Sequence, residues 1–256
     1  MLLERVNDAI TVAERQKREM AHAPRERCTP DDSSSSTEHA TTTERDRSEF
    51  ELKLAAPPAE LKKAEQPLLT MPTVRSEIQS DLVSIYYDTP TLALYRKRLT
   101  LRVRKLGREF LQTVKAEDPT AVDFLERPEW EEPIASKRPD LNARKTGKWL
   151  ADVVGVEDLR PIFTTKVKRR VIEIEPSPSA PIEAAIDMGE IRTATGGAVE
   201  PISELELELK SGDPAVLYDV ALRLIQVAQV RIETRSKAER GYGIGPRSLR
   251  QAGLFA

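Results

Sequence analysis

The stretch Glu49-Phe50-Glu51-Leu52-Lys53-Leu54 decides the fold of this chain, because charged and apolar residues alternate in it with a period of two. Successive side chains of an extended strand point to opposite faces, so the strand has one charged face and one apolar face. Such a strand can lie at a solvated edge, or its charged face can line a polar cavity beneath an apolar outer layer. The charge patterns of the other strands decide between these two environments.

The same alternation returns in Thr-Leu-Arg-Val-Arg at 100–104 and in Glu-Leu-Glu-Leu-Glu at 204–208. Taken alone, each segment is typical of a solvated strand, and the second is also compatible with a solvated helix. Acids, however, dominate the first and last of these strands, whereas bases dominate those between them, including 166–170. This segregation favours a barrel interior with a carboxylate side, which can bind divalent cations, and a basic side, which can bind a multiply charged anion.

The chain divides into three predicted parts. Residues 1–48 combine an amphipathic segment with a Ser-, Thr- and Pro-rich stretch, which predicts a disordered or partly helical extension. Residues 49–245 hold about eight strands with three or four helices between them. Short, hairpin-like connections favour an α+β fold in which an antiparallel sheet closes into an eight-stranded barrel, with a polar lumen and helices packed outside. Residues 246–256 are a C-terminal tail.

The helices are predicted from apolar spacing and from their first residues. Patterns over 59–69 and 139–154 are helical, and Asp213-Pro214 begins a helix that runs to about residue 229. Gly241, Gly243 and Gly245 are expected to end regular structure. They resemble a dinucleotide-binding loop only superficially, because no strand precedes them.

Composition excludes several classes of function. The 256 residues carry 40 Lys and Arg against 42 Asp and Glu, so no global field attracts nucleic acid or an anionic membrane. Cys28 and both histidines, His22 and His39, precede residue 49. The folded part therefore lacks the groups for Ser-His-Asp, Cys-His or zinc-thiolate chemistry. No apolar run reaches the roughly 18 residues of a membrane span, and we expect a cytoplasmic protein without nucleic-acid or membrane partners.

Motifs along 49–242 together resemble the CYTH domains of the triphosphate tunnel metalloenzymes. The segments that carry the resemblance follow the family's order: Glu49-x-Glu51-x-Lys53, Tyr87-Asp88-Thr89-Pro90, Leu101–Arg104, Gln112–Lys115, Trp130-Glu131, Phe163–Arg169, Ile186–Gly189, Ser203–Lys210 and Ser236–Tyr242. Within this family the chain looks most like bacterial inorganic triphosphatases, without the C-terminal helical CHAD domain that these often carry.

The resemblance implies hydrolysis of inorganic triphosphate to pyrophosphate and phosphate inside an eight-stranded tunnel, with Mg²⁺ or Mn²⁺ as cofactor. It implies a metal side formed by Glu49, Glu51, Asp187, Glu204 and Glu206. It implies a phosphate side formed by Lys53, Arg102, Arg104, Lys115, Arg169 and Lys237. The residues expected to be catalytic are Glu49, Glu51, Lys53, Arg102 and Arg104. Two positions stay open: Glu208 can replace Glu204, and Lys166 or Lys168 can replace Arg169.

Other functions share these features. A nucleoside or thiamine triphosphatase, or an adenylate cyclase, uses the same fold with a different triphosphate. A non-catalytic polyphosphate- or nucleotide-binding module needs mainly the basic side, so the complete acidic side disfavours it. The low aromatic content, 5%, argues against base stacking on RNA.

Overall fold

The structure is a computed structural model that describes residues 47–71, 77–116, 126–151, 153 and 159–244. The expected N-terminal extension, up to residue 46, and the expected tail at 246–256 lie outside the described residues. Arg47 and Ser48, which we placed in the extension, already belong to the first strand.

The described residues form nine strands and five helices. The strands are β1 (Arg47–Ala55), β2 (Glu77–Asp88), β3 (Leu99–Leu106), β4 (Glu109–Ala116), β5 (Glu126–Ile134), β6 (Arg160–Ile174), β7 (Ile182–Thr193), β8 (Val199–Leu209) and β9 (Arg231–Ile232). The helices are α1 (Pro58–Leu69), α2 (Ala93–Arg96), α3 (Gly147–Leu150), α4 (Ala215–Ile225) and α5 (Lys237–Gly243). In these parts of the chain, no helix has the length and apolarity needed to cross a membrane.

One antiparallel sheet joins all nine strands in the order β5-β4-β3-β2-β6-β7-β8-β1-β9. The start of β1 also pairs with β5, from Arg47 opposite Glu129 to Phe50 opposite Glu126. The expected antiparallel sheet with helices is confirmed. The expected count of eight strands is wrong, because the two-residue strand β9 pairs with the end of β1.

The apolar face of β1 is the buried outer face of the sheet. Leu52 and Leu54 have no solvent exposure, and α4 packs against β1. Helix α1 packs on β6, β7, β8 and α4, so these two helices cover one side of the sheet. The alternation in β1 therefore turns Lys53 toward the opposite, inner face.

The segment after β5 differs from the helix expected over 139–154. Only α3, four residues long, is helical there, and residues 152 and 154 lie outside the described residues. The Gln112 side chain accepts a hydrogen bond from the Asp140 amide and donates to the Asp140 carbonyl. The Glu132 carboxylate accepts hydrogen bonds from the backbone amides of Lys145 and Thr146. These side chains provide hydrogen-bond partners for backbone N–H and C=O groups of the segment. The backbone therefore does not need a longer helix to pair these groups.

Helix α5 is a second departure from expectation, because Gly241 lies within it, whereas Gly243 is its last residue, as expected. Gly245 lies outside the described residues. Ser236 and Glu239 form a capping box at its start, a helix signal that our prediction did not use. A Cβ on Gly241 would lie 2.3 Å from the Phe163 ring, so glycine here permits close packing. The same helix is fixed by Tyr242, whose hydroxyl donates to a carboxylate oxygen of buried Asp88 at 2.9 Å.

Candidate active site

A cavity of about 260 Å³ lies on the inner face of the sheet, next to α5. The expected site residues that line it are Glu51, Lys53, Arg102, Arg104, Lys115, Arg169, Glu206 and Lys237. Asp187 and Glu204 are fully buried and contact the lining residue Lys237. For Glu49 only the backbone, which pairs with Arg127, is described. Lys166 and Lys168 are exposed, so among the bases of this strand it is Arg169 that faces the cavity.

Strand register brings the carboxylates together. Asp187 on β7 lies opposite Arg169 on β6 and opposite Glu204 on β8. On the other side of β8, Glu206 lies opposite Lys53 on β1. Residues directly opposite each other in an antiparallel pair point to the same face, so four adjacent strands present these groups to one region.

The carboxylates of Asp187, Glu204 and Glu206 form a compact cluster, with ligand atoms all within 4.8 Å of one another. The Lys237 ammonium lies 2.7 Å from Asp187 Oδ2 and 2.7 Å from Glu206 Oε1, and it also contacts Glu204. Arg169 donates to both oxygens of Asp187, at 2.8 and 2.7 Å, and contacts Glu206. Two bases from the expected phosphate side thus offset part of the negative charge of the acidic cluster.

The environment sets the charge of these groups. Burial would raise the pKa of Glu206, but Lys237, Arg169 and Lys53 together hold it well below its ordinary value. Burial would lower the pKa values of Lys237 and Arg169, yet Glu206 and Asp187 raise both of them. Glu204 differs, because burial raises its pKa more than Lys237 lowers it. The cluster is therefore a set of strongly coupled charges.

This donor set fits a hard divalent cation. Three carboxylates that converge within 4.8 Å offer the oxygen ligands that Mg²⁺ and Mn²⁺ prefer. Glu51 lies nearby on β1, where its carboxylate is 3.3 Å from the Lys53 ammonium. Lys53 is also 3.8 Å from Glu206 and therefore connects Glu51 to the cluster.

Glu208 faces the same cavity but lies outside the cluster. Its carboxylate is 2.8 Å from the ammonium of Lys210, which also pairs with Glu183 at 3.0 Å. Of these three glutamates of β8, Glu204 and Glu206 contact Lys237, and Glu208 pairs with Lys210 instead.

The basic side of the cavity is built on β3 and β4. Arg102 donates to Thr113 Oγ1 at 3.1 Å and lies 3.5 and 3.6 Å from carboxylate oxygens of Glu129 and Glu131. Burial alone would lower the pKa of Arg102, but these acids and Tyr86 raise it. Lys115 pairs with Glu129 at 2.5 Å.

Arg104 is the exception on this side. Its Nε donates to Ser84 Oγ at 3.2 Å, and among the described residues no carboxylate lies within 4.0 Å of it. The charge of Arg102, burial and the charge of Arg169 together lower the pKa of Arg104 to about 10. A guanidinium repelled by its neighbours and facing a cavity gains most from a bound anion.

Sequence reasoning missed Glu129 and Glu131, which line the cavity from β5. The available signal was their alternation around Trp130 in a strand that the sequence predicts. Their position shows that the basic side carries its own acidic counter-charges, which the segregation of acids and bases along the sequence did not reveal.

Comparisons with known proteins are consistent with this geometry. The sequence profile of the CYTH domain matches residues 47–242. The chain is 33% identical over 201 residues to an inorganic triphosphatase of Haemophilus influenzae, covering 78% of this chain and 56% of that protein. The chain thus spans about 56% of the length of the curated relative that it matches.

Two solved structures share the fold. A candidate adenylate cyclase from Bacillus halodurans gives a TM-score of 0.52 at 19% identity, covering 75% of this chain and 96% of that one. A candidate adenylyl cyclase from Hippeastrum with a dominant triphosphatase activity gives a TM-score of 0.54 at 14% identity, covering 81% of this chain and 97% of that one. At these identities the likeness shows the fold alone.

Proposed function

Because this chain belongs to the CYTH domain family, we propose that it hydrolyses inorganic triphosphate to pyrophosphate and phosphate with Mg²⁺ or Mn²⁺. The observation that carries the proposal is the division of one cavity into two sides. Arg104, without a carboxylate partner among the described residues, lies on one side, and the Asp187, Glu204 and Glu206 cluster lies on the other. A cavity that can hold both an anion and a cation suits a metal-bound polyphosphate.

We further infer that strands β1 to β8 form a closed tunnel around this cavity, within a catalytic domain at 49–245. The four residue pairs between β1 and β5 support closure, because these strands otherwise lie near opposite ends of the strand order. Strand β9 would then be an addition outside the tunnel wall.

The basic residues would bind the phosphate chain. Arg102 and Arg104 present guanidinium groups, which match phosphate oxygens in pairs, and Lys115 adds a point charge. An anion close to Arg104 would relieve its repulsion with Arg102. These side chains would thereby hold the substrate in one orientation and stabilise charge that develops on its oxygens.

Asp187, Glu204 and Glu206 would hold the cation, with Glu51 close by. When bound, the cation supplies positive charge that stabilises the phosphate oxygens as the bridging bond breaks. Lys237 and Arg169 already lie among these carboxylates and would keep them oriented. Water forms a bond to the terminal phosphorus while the bridging P–O bond breaks, and pyrophosphate leaves.

The cavity lining favours a substrate without a base. Among the described lining residues Tyr86 is the only aromatic one, and it stacks on Phe163 with ring centroids 4.4 Å apart. The face of the Tyr86 ring that packs against Phe163 is therefore not accessible to a nucleobase or a thiazolium ring. Stacking on aromatic rings is a common way to bind such groups, so the lining supports inorganic triphosphate.

Phosphate release from inorganic triphosphate, ATP and thiamine triphosphate, each with Mg²⁺, with Mn²⁺ and with EDTA, tests the proposal. We expect metal-dependent release that is fastest with inorganic triphosphate. Faster release from ATP or thiamine triphosphate would assign another triphosphatase, and binding without release would assign a non-catalytic module.

A further inference from the structure

Arg240 forms a buried network that connects α5 to β8. Its Nε donates to Glu200 at 2.7 Å, its Nη1 to Glu204 Oε2 at 2.7 Å, and its Nη2 to the Pro201 carbonyl at 2.5 Å. Only 7% of the side chain is exposed. Three contacts to one strand, made by a planar guanidinium, fix the position of that group.

Glu204 divides its two oxygens between two residues of α5. Oε2 accepts from Arg240, whereas Oε1 contacts Lys237 within the carboxylate cluster. Lys237 and Arg240 are three residues apart and so lie on the same face of the helix. Glu204 is fully buried, so its carboxylate depends on these partners for its orientation.

Arg240 itself does not belong to the cavity lining, whereas Lys237 does. A cation held by Asp187, Glu204 and Glu206 needs carboxylate oxygens that Lys237 now contacts. The contact of Arg240 with Oε2 does not compete for Oε1. Arg240 can therefore keep Glu204 oriented whether or not Lys237 stays beside it.

We infer that Arg240 is a positioning residue that sets the Glu204 carboxylate for cation binding and touches neither substrate nor cation. The inference rests on the proposed function, because it requires a divalent cation at the cluster. Hydrogen-bonded partners behind metal ligands typically contribute about 10- to 100-fold to metal affinity.

The test is the Mn²⁺ dissociation constant of the full chain, measured by titration with electron paramagnetic resonance detection of free Mn²⁺. Arg240→Met should weaken Mn²⁺ binding by about 10- to 100-fold. Arg240→Lys keeps the charge but not the planar guanidinium with its several donors, so it should weaken Mn²⁺ binding by more than threefold but less than Arg240→Met does. Triphosphate binding measured in EDTA should stay within threefold of the wild type, because Arg102, Arg104 and Lys115 are unchanged.

Arg170→Met is the matched control. It removes an Arg–Glu pair between β6 and α1, with Glu65, that is not part of the cavity lining. This variant should bind Mn²⁺ like the wild type. Circular dichroism of each variant establishes that it is folded, and Arg240→Lys decides the matter if Arg240→Met does not fold.

Each outcome is decisive. Mn²⁺ affinity within threefold of the wild type in a folded Arg240→Met chain, or in Arg240→Lys if only that variant folds, would overturn the positioning role while leaving the proposed function intact. No Mn²⁺ binding by the wild type would overturn the metal site and the inference with it. Equal weakening in Arg170→Met would show a general loss of packing and would also overturn the inference.

Discussion

Arg169 holds Asp187 through two hydrogen bonds, from Nε to Oδ1 at 2.8 Å and from Nη2 to Oδ2 at 2.7 Å. The same guanidinium contacts Glu206, so a residue expected to bind phosphate lies among the expected metal ligands. The charge of Arg169 also helps to lower the pKa of Arg104 on the basic side, so the charges on the two sides of the cavity interact.

Replacing this base should unbalance the cluster. Arg169→Met leaves buried carboxylates without their partner, which should lower the free energy of unfolding by about 3 to 5 kcal/mol. Added Mg²⁺ should restore more stability to this variant than to the wild type, because the cation supplies the missing positive charge. Urea unfolding with and without Mg²⁺ measures both effects. Lys168→Met, at an exposed neighbouring position, is the control, and an equal loss in the two variants would contradict the account.

The low pKa of Glu206 predicts a pH-dependent contribution to stability. Its pKa is held well below the ordinary 4.5, so the carboxylate stabilises the fold above that pH and loses this effect as the pH falls. The difference in unfolding free energy between wild type and Glu206→Gln should be large at pH 7 and should shrink gradually as the pH falls below about 4.5. Glu190→Gln removes an exposed pair with Arg192 and should cost little at any pH. A difference independent of pH would refute this assignment.

Arg104 should contribute to function at the expense of stability. Its lowered pKa, about 10, reports repulsion from Arg102 and burial, so Arg104→Met should raise the free energy of unfolding by roughly 1 to 3 kcal/mol. The same change should reduce triphosphate turnover by about two orders of magnitude, because an anion contact is lost. Thermal unfolding and phosphate release measure the two effects. Lys105→Met, exposed on the same strand, should change neither, and near-normal turnover in Arg104→Met would reject the phosphate-binding role.

Because α5 packs closely against Phe163, we predict that alanine substitutions at its two glycines change the free energy of unfolding differently. Gly241→Ala places a methyl group 2.3 Å from the Phe163 ring and should cost about 1 to 3 kcal/mol of stability. Gly243→Ala meets no atom within 4 Å, and its helix propensity should make it neutral or stabilising. Urea unfolding of both variants compares them directly. Equal effects would show that Phe163 does not limit the position of α5.

The sequence alone predicted the features that depend on local periodicity, namely which side chains share a face of a strand. Alternation placed Lys53, Arg102 and Glu206 on one face of their strands, because the side-chain period of a strand is two wherever it occurs. It did not show which residues meet across strands. Arg169, rather than Lys166 or Lys168, faces the cavity because of the register between β6 and β7, which no single segment encodes.

The other differences also arise from contacts distant in sequence. Gly241 looked like a helix breaker until its packing against Phe163 was known. The segment at 139–154 had helical spacing, but its backbone amides instead donate hydrogen bonds to Gln112 and Glu132 on neighbouring strands. The roles of the cavity residues in binding metal and phosphate stay predictions that the variants above can test.

The most direct test of the central claim is ³¹P nuclear magnetic resonance of inorganic triphosphate incubated with the wild-type chain and Mg²⁺ or Mn²⁺. The account predicts that triphosphate signals disappear and that phosphate and pyrophosphate appear in equal amounts, with no reaction in EDTA. Triphosphate that binds the folded protein in the presence of either metal, yet stays intact, would contradict the claim that this divided cavity is a triphosphatase site.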